Sequence, residues 1–239
     1  LKYIRKGFAP SSLIAFQRSN PNPATCYEDY KDKDDHWDKE KWSKVLLQEQ
    51  GYICAYTMKR ISLGSGNMKR EHIIEQNGTI ANDINHGNVV AVCMGNEGYP
   101  PEEQYADTRK GYIYNKYGRV LQNINPCDPQ CETKIKYRDT GEIYSENILV
   151  QEEIVDDKSR SHLSILNLNF QTLVDGRKGS YEAVKRILTN SAKGRNWKIH
   201  EIESMLEKFK NKDADGKFKE YCNFVIYRLQ KELEWRRKS

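Results

Sequence analysis

Apolar and polar positions change rhythm along the chain. Over residues 1–40, Pro10, Pro21, Pro23 and the charged run Tyr30–Asp35 break any period, which predicts an irregular arm. Within it Ser11 to Arg18 reads as a short helix capped by Ser11 or Ser12. Trp42, Val45, Leu46 and Glu49 then recur at helical spacing, predicting a helix over about Asp38 to Gln50 that Gly51 stops. Short β-like stretches follow at Gly51–Tyr56, Met68–Ile74 and Asn88–Cys93, set between Gly and Asn turns. Ile113–Leu121 and Thr133–Ile148 alternate enough for further strands or hairpins, turning at Gly118 and Gly141. From Ser159 onward the period is helical, with three apolar stripes that read as core faces. The first holds Tyr181, Val184, Ile187 and Leu188, and the second Ile199, Ile202, Leu206 and Phe209. The third holds Phe218, Tyr221, Cys222, Val225, Leu229 and Leu233. The predicted fold class is α+β, a mainly helical chain around a small mixed centre.

Composition narrows the class. Only 37% of the 239 residues are hydrophobic, yet 15 Tyr, 6 Phe and 4 Trp argue for a packed core rather than disorder. No run of about 18 apolar residues exists, so no membrane partner is expected. The basic opening Leu1–Lys6 leads into Gly7 and Pro10 without an apolar stretch, so no secretory leader is expected. Together with six cysteines in a large chain, this gives the expectation of reduced thiols in the cytoplasm. A net charge of +5 is mild and fits a nucleic-acid binder only slightly better than any enzyme.

Of five histidines, His72 alone sits in a setting with a mechanism. It follows Glu71 at the end of a predicted strand. A loop, Asn88, a second strand with Cys93, and a helix start with Asp107 ahead of Arg109 and Lys110 come next. An acid beside a histidine is commonplace, but this order of elements is the layout of a ββα-metal nuclease site. Phosphodiester hydrolysis needs a base for water and a divalent ion for the phosphate and leaving oxygen. Glu71 and Asp107 offer hard oxygen ligands for Mg²⁺ or Mn²⁺. His72 is the candidate base, its ring fixed by a carbonyl or Asn88, and Arg109 or Lys110 is placed to hold the phosphate. Lys110, Tyr112, Tyr114, Lys116, Tyr117 and Arg119 interleave cations and rings. On a strand they form a stacking and phosphate-binding face, or a half-buried strand under solvated lysines. Trp235–Lys238 reads as a charged tail, solvated or in contact with a partner.

At these residues the chain resembles HNH nucleases of the Septu defence type (PtuB-like). The likeness is carried by Leu1–Gly7 with Pro10, Gln50–Tyr56, Arg70–Glu71–His72 and Asn88–Cys93. Asp107–Gly111 is similar to that family's C-D-x-x-K-G, and Ile124–Pro126, Leu166–Asn169 and Arg177 continue the match over nearly the whole chain. The resemblance implies an arm and helix over residues 1–50, an HNH core over 51–125 and a mainly helical region over 126–239. It assigns His72 as general base, Glu71 as the adjacent acid, Asn88 as the brace of the loop and Asp107 as metal ligand. It also implies a PtuA-like ATPase partner, sometimes with a retron reverse transcriptase and its RNA–DNA hybrid. The substrate would be nucleic acid, either DNA or an RNA such as tRNA.

The chain departs from the family pattern at its zinc knuckle. Thr57 and Ala106 stand where Cys54 and Cys93 should each have a partner cysteine, so the structural zinc is expected to be lost. A rival reading completes a four-cysteine site with Cys127 and Cys131. Glu75 replaces a proline common in HNH chains. The degraded knuckle motivates an alternative from another class, a decayed HNH scaffold serving as a non-enzymatic adaptor.

Overall fold

The computed structural model describes the chain apart from residues 34, 35, 65, 158, 160, 161, 193–195 and 239, and apart from the side chains of 31–39. The end of the expected charged run, Asp34–Asp35, lies outside the described residues.

The architecture is mixed α+β and mostly helical. Helix α1 (Ser11–Ser19) starts on Pro10 with no side-chain cap, so neither Ser11 nor Ser12 plays the expected role. The arm is more regular than its prolines suggest, because it contains α2 (Tyr27–Lys33). There Asp29 turns back to accept from the Cys26 amide at 2.9 Å, supplying an otherwise orphaned N-terminal donor with a partner. Helix α3 (His36–Gln50) begins two residues before its predicted start and buries Trp42, Leu46 and Leu47. It ends where expected, at Gly51 (φ 61°), whose missing side chain also matters: a Cβ there would meet Phe218 at 2.5 Å.

Strands β1 (Lys69–His72) and β2 (Val89–Val92) form a two-stranded antiparallel sheet, with Glu71 opposite Val90 and His72 opposite Val89. All four β2 residues are buried. Gln50, at the end of α3, closes the outer edge of β2 by accepting from Ala91 N (2.7 Å) and donating to Ala91 O (2.8 Å). The stretch Gly51–Tyr56 makes only an isolated bridge, Ile53 to Arg60. The loop between the strands carries α4 (Ile80–Asp83).

Helix α5 (Ala106–Tyr117) follows β2 and corrects the reading of Ile113–Leu121 as a strand. Asp107 in its first turn and Gly118 at its C-cap (φ 64°) are helix punctuation that outweighs the Tyr/Lys alternation. Consequently Lys110, Tyr112, Tyr114, Lys116, Tyr117 and Arg119 do not share a face, and Lys116 lies over the Tyr112 and Tyr117 rings instead. The predicted hairpin near Gly141 is present as β3 (Lys136–Tyr137) and β4 (Ile143–Tyr144).

Helix α6 (Ile148–Ile154), not foreseen, is capped by Asn147. Its Glu153 accepts from the amides of Gln122, Asn123 and Ile124. The three stripes become α7 (Gln171–Ala192), α8 (Ile199–Lys210) and α9 (Cys222–Lys238), with Phe218 just ahead of the last. Of the first stripe Ile187 is exposed. One hydrophobic cluster runs through the molecule from Ile4 and Trp42 through Val90 to Phe224 and Leu233, so all three predicted regions share a core. Among the described residues no helix is long and apolar enough to cross a membrane.

Candidate active site

Strand alternation sorts β1 into two faces. Lys69 and Glu71 turn toward α5, where Lys69 donates to Thr108 Oγ1 at 2.9 Å. Arg70 and His72 turn the other way, Arg70 donating to Tyr27 Oη (3.0 Å) and Ser43 Oγ (3.1 Å).

His72 is almost fully buried at 9% exposure, edge-on to the Tyr27 ring at 5.4 Å. Its Nε2 lies 2.7 Å from the Asp83 carbonyl. A carbonyl only accepts, so the proton sits on Nε2 and Nδ1 keeps its lone pair. Burial lowers the pKa of the ring, the nearby Lys110 and Arg70 charges add to this, and the Asp83 carbonyl works against it. The ring is therefore neutral at physiological pH.

Asn88 is the brace of this loop. Its Oδ1 accepts from Ile74 N at 2.9 Å, and its Nδ2 donates to Ile74 O (2.9 Å) and Asn82 O (2.7 Å). The side chain stands in for a strand neighbour at the end of β1 and holds α4, with its Asp83 carbonyl, over His72. Its chemistry is positional.

On the opposite face Glu71 meets Asp107 from the first turn of α5, and their carboxyls are hydrogen-bonded. Two carboxylates cannot both be ionised in such a bond. Burial, then the bond and charge of Asp107, raise Glu71 well above the carboxylate range against the opposing Lys110. Burial also works against charge on Asp107, but the Glu71 bond and the Lys69 ammonium outweigh it and hold Asp107 low. A proton taken up by the pair therefore goes to Glu71 before Asp107.

Two ammoniums complete the cluster. Lys69 Nζ is 2.8 Å from Asp107 Oδ2. Lys110 Nζ donates to the His72 carbonyl at 2.8 Å and stands 2.7 Å from Glu71 and 3.0 Å from Glu75. One ammonium thus bridges the two carboxyl groups, Glu71 Oε1 and Glu75 Oε1. With Glu71 protonated, the charges of Asp107 and Glu75 balance those of Lys69 and Lys110. Tyr56 is 1% exposed, and burial with the charges of Glu71, Asp107 and Glu75 raises its pKa.

The structure therefore brings Glu71, Asp107 and Lys110 into one cluster, with His72 and Asn88 at the same strand end. It does not bring Arg109, the other candidate for the phosphate. Arg109 is wholly buried, donating to Ser164 O at 3.2 Å and pairing with Asp156 at 3.2 Å. It is a strut between α5 and the segment after α6, out of reach of a substrate. Lys69, Glu75 and Tyr56 were missed by sequence reasoning. Only Lys69 left a signal, sharing a strand face with Glu71.

The two carboxyls are hard oxygen donors of the kind Mg²⁺ or Mn²⁺ takes, although the Lys69 and Lys110 ammoniums already stand against them. Among the described residues no group of three or more His, Cys, Asp or Glu forms a ready metal cage. Glu71 and Asp107 would share the ion with water and phosphate oxygens.

The knuckle positions also converge. Cys54 and Cys93 are buried and hydrogen-bonded to each other, and Thr57 Oγ1 lies 3.6 Å from Cys93 Sγ. Burial would raise the Cys54 thiol, but hydrogen bonds with Cys93 and Thr57 bring it down to about 6. Cys127 and Cys131 do not join them. They lie beside Lys6 and Glu132, so the four-cysteine alternative is not formed. No protein-family model matches the chain, and no curated protein matches it either.

Proposed function

We propose that the chain is a metal-dependent HNH endonuclease with a ββα-metal site built from β1, β2 and α5. It would hydrolyse phosphodiester bonds of DNA or of an RNA such as tRNA. It would act in the cytoplasm as the effector of a Septu-type antiphage system, with a PtuA-like ATPase and, in some settings, a retron reverse transcriptase with its RNA–DNA hybrid. The observation that carries this reading is the end of β1 itself, where Glu71 and Asp107 from α5 meet the Lys69 and Lys110 ammoniums on one face and His72, its tautomer set by the Asp83 carbonyl, stands on the other.

His72 Nδ1 takes a proton from the attacking water. The Nε2–H bond to Asp83 strengthens as the ring becomes cationic, which favours the transition state. Glu71 and Asp107 would hold Mg²⁺ or Mn²⁺, which supplies positive charge to the phosphate and the leaving 3′ oxygen. With Glu71 ionised, the three carboxylates and two ammoniums carry one net negative charge, which a divalent ion turns to one positive, the complement of a phosphodiester. Asn88 holds the loop that aims the base.

The test is cleavage of plasmid, single-stranded DNA and total tRNA with Mg²⁺ or Mn²⁺, with and without the co-encoded ATPase. Wild type cuts only with metal, and His72→Ala loses cutting, by about 10²-fold or more, while still folding at the assay temperature. Cutting retained in His72→Ala removes His72 as the base. Deoxy-substitution at the cut position separates an HNH mechanism, which needs no 2′-hydroxyl, from one that attacks through it. A second reading, a non-enzymatic adaptor on an HNH scaffold, is favoured by the ammoniums that already neutralise the carboxylates. It predicts ATPase binding with no metal uptake and no cutting.

A further inference from the structure

The first residues of the chain, the β3–β4 hairpin, the end of α8 and the first half of α9 enclose a groove of about 540 Å³. None of its lining residues comes from β1, β2 or α5, so it is separate from the carboxylate cluster. Four ammoniums line it, Lys2, Lys136, Lys210 and Lys231, against one carboxylate, Glu132. Glu132 is already engaged: it accepts from the Tyr3 amide at 2.8 Å and from Asn223 Nδ2 at 3.0 Å, and it pairs with Lys2 at 3.2 Å. Lys136 and Lys210 pair with carboxylates outside the groove, Glu146 at 2.6 Å and Glu207 at 2.9 Å. Both of those glutamates are exposed, and surface pairs of this kind contribute little, so a polyanion can displace them.

Tyrosines stand among these cations. Tyr144 on β4 and Tyr227 on α9 line the groove half-buried, with Arg138 5.0 Å from the centre of the first ring and Lys231 5.3 Å from the second. Buried Tyr137 backs Tyr227 at 5.7 Å. We propose that this groove binds single-stranded nucleic acid, the lysines taking its phosphates and Tyr144 and Tyr227 stacking on its bases. Phosphates that draw Lys231 and Arg138 off the rings open two aromatic faces to the bases, so charge and stacking are satisfied together. An acidic peptide would occupy the lysines and leave the rings unused, and a duplex keeps its bases in their own stack. The mixture of cations and rings expected over Lys110–Arg119 is assembled here instead, from segments far apart in the chain. The proposal needs neither metal nor cleavage, so it stands apart from the reading of Glu71 and Asp107.

The experiment measures, by fluorescence anisotropy in chelator, binding of the full chain to labelled oligothymidylate across a range of salt concentrations. Wild type is compared with the groove reversal Lys136→Glu/Lys231→Glu and with Tyr144→Leu. The reversal Lys44→Glu/Lys185→Glu, at exposed positions of α3 and α7, is the control of equal net charge. The groove reversal should weaken binding by about tenfold or more and lower the slope of log affinity against log salt by about 1.4, about 0.7 for each ammonium. Tyr144→Leu should weaken it by about tenfold with the slope unchanged, and the control should keep the wild-type slope. Equal binding by the groove and control reversals overturns the proposal, as does no binding by wild type. Polyglutamate or a duplex of the same length competing as well as unlabelled oligothymidylate assigns the groove to that ligand and equally overturns it. Binding that meets these expectations in a chain that never cuts overturns only the nuclease reading.

Discussion

Burial and the neighbouring Asp107 favour the protonated form of Glu71, which fixes the sign of its effect on stability. The folded pKa of Glu71 lies well above its ordinary value of 4.5. Its contribution is therefore fully present below that value and is lost as pH rises through the folded pKa. Gln at this position mimics the protonated acid permanently. Glu71→Gln should match wild type near pH 4 and gain on it steadily toward pH 8 in chelator-treated melts, while cleavage disappears. His72, whose folded pKa is lowered, contributes stability above its ordinary 6.5 that is lost as pH falls. This acts in both proteins and cancels in the difference. A wild type more stable than Glu71→Gln at every pH would show that Glu71 is not protonated. At this scale much of the proposed site was legible, because Glu71, His72, Asn88 and Asp107 follow one another along the chain as an acid, a histidine, an amide and an acid. Glu75 was not, since nothing local marks a residue whose partner, Lys110, arrives from α5.

Helix α5 shows how the element decides what a side chain can do. Arg109 and Lys110 are equivalent cations in the sequence, but adjacent helical positions diverge by about 100°. That angle sends Lys110 into the carboxylates and Arg109 into the interior against Asp156 and Ser164. Arg109→Ala removes the cation paired with Asp156, which keeps only its Ser164 donors, and leaves the buried Ser164 carbonyl without this donor; it should cost about 3 kcal/mol, read as a lower chemical-denaturation midpoint. A residue that bound phosphate would instead weaken substrate binding with stability unchanged. The strand reading of this segment failed because Tyr and Lys alternate over a stretch whose boundaries, Asp107 and Gly118, are those of a helix. The C-terminal stripes were easier, since long amphipathic periods have one reading.

At the scale of the molecule, the arm, the two-stranded sheet and the C-terminal helices bury one cluster. Unfolding should therefore be a single cooperative transition, with calorimetric and van't Hoff enthalpies equal, and a chain cut after residue 125 should not fold. Two resolved transitions would show that the core and the C-terminal helices are separate units. The arm is tied in by Lys6, which pairs with Glu49 at 2.8 Å, while Glu49 also meets His86 Nε2 at 2.8 Å. Its proline content gave no hint of this, because such bonds depend on where α3 and β2 lie.

The sequence by itself determined the short-range features: the acid–histidine pair at a strand end, Asp107 in the first turn of a helix, the stop at Gly51 and the apolar faces of α7, α8 and α9. Backbone geometry links these residues over a few positions, so their spacing carries the information. Tertiary structure alone decided which ammonium faces which carboxylate, that the pKa of Glu71 is raised, that Arg109 is structural and that the Tyr56 hydroxyl is buried without a partner. Each of these depends on which groups lose water together, and that is settled only when distant segments pack.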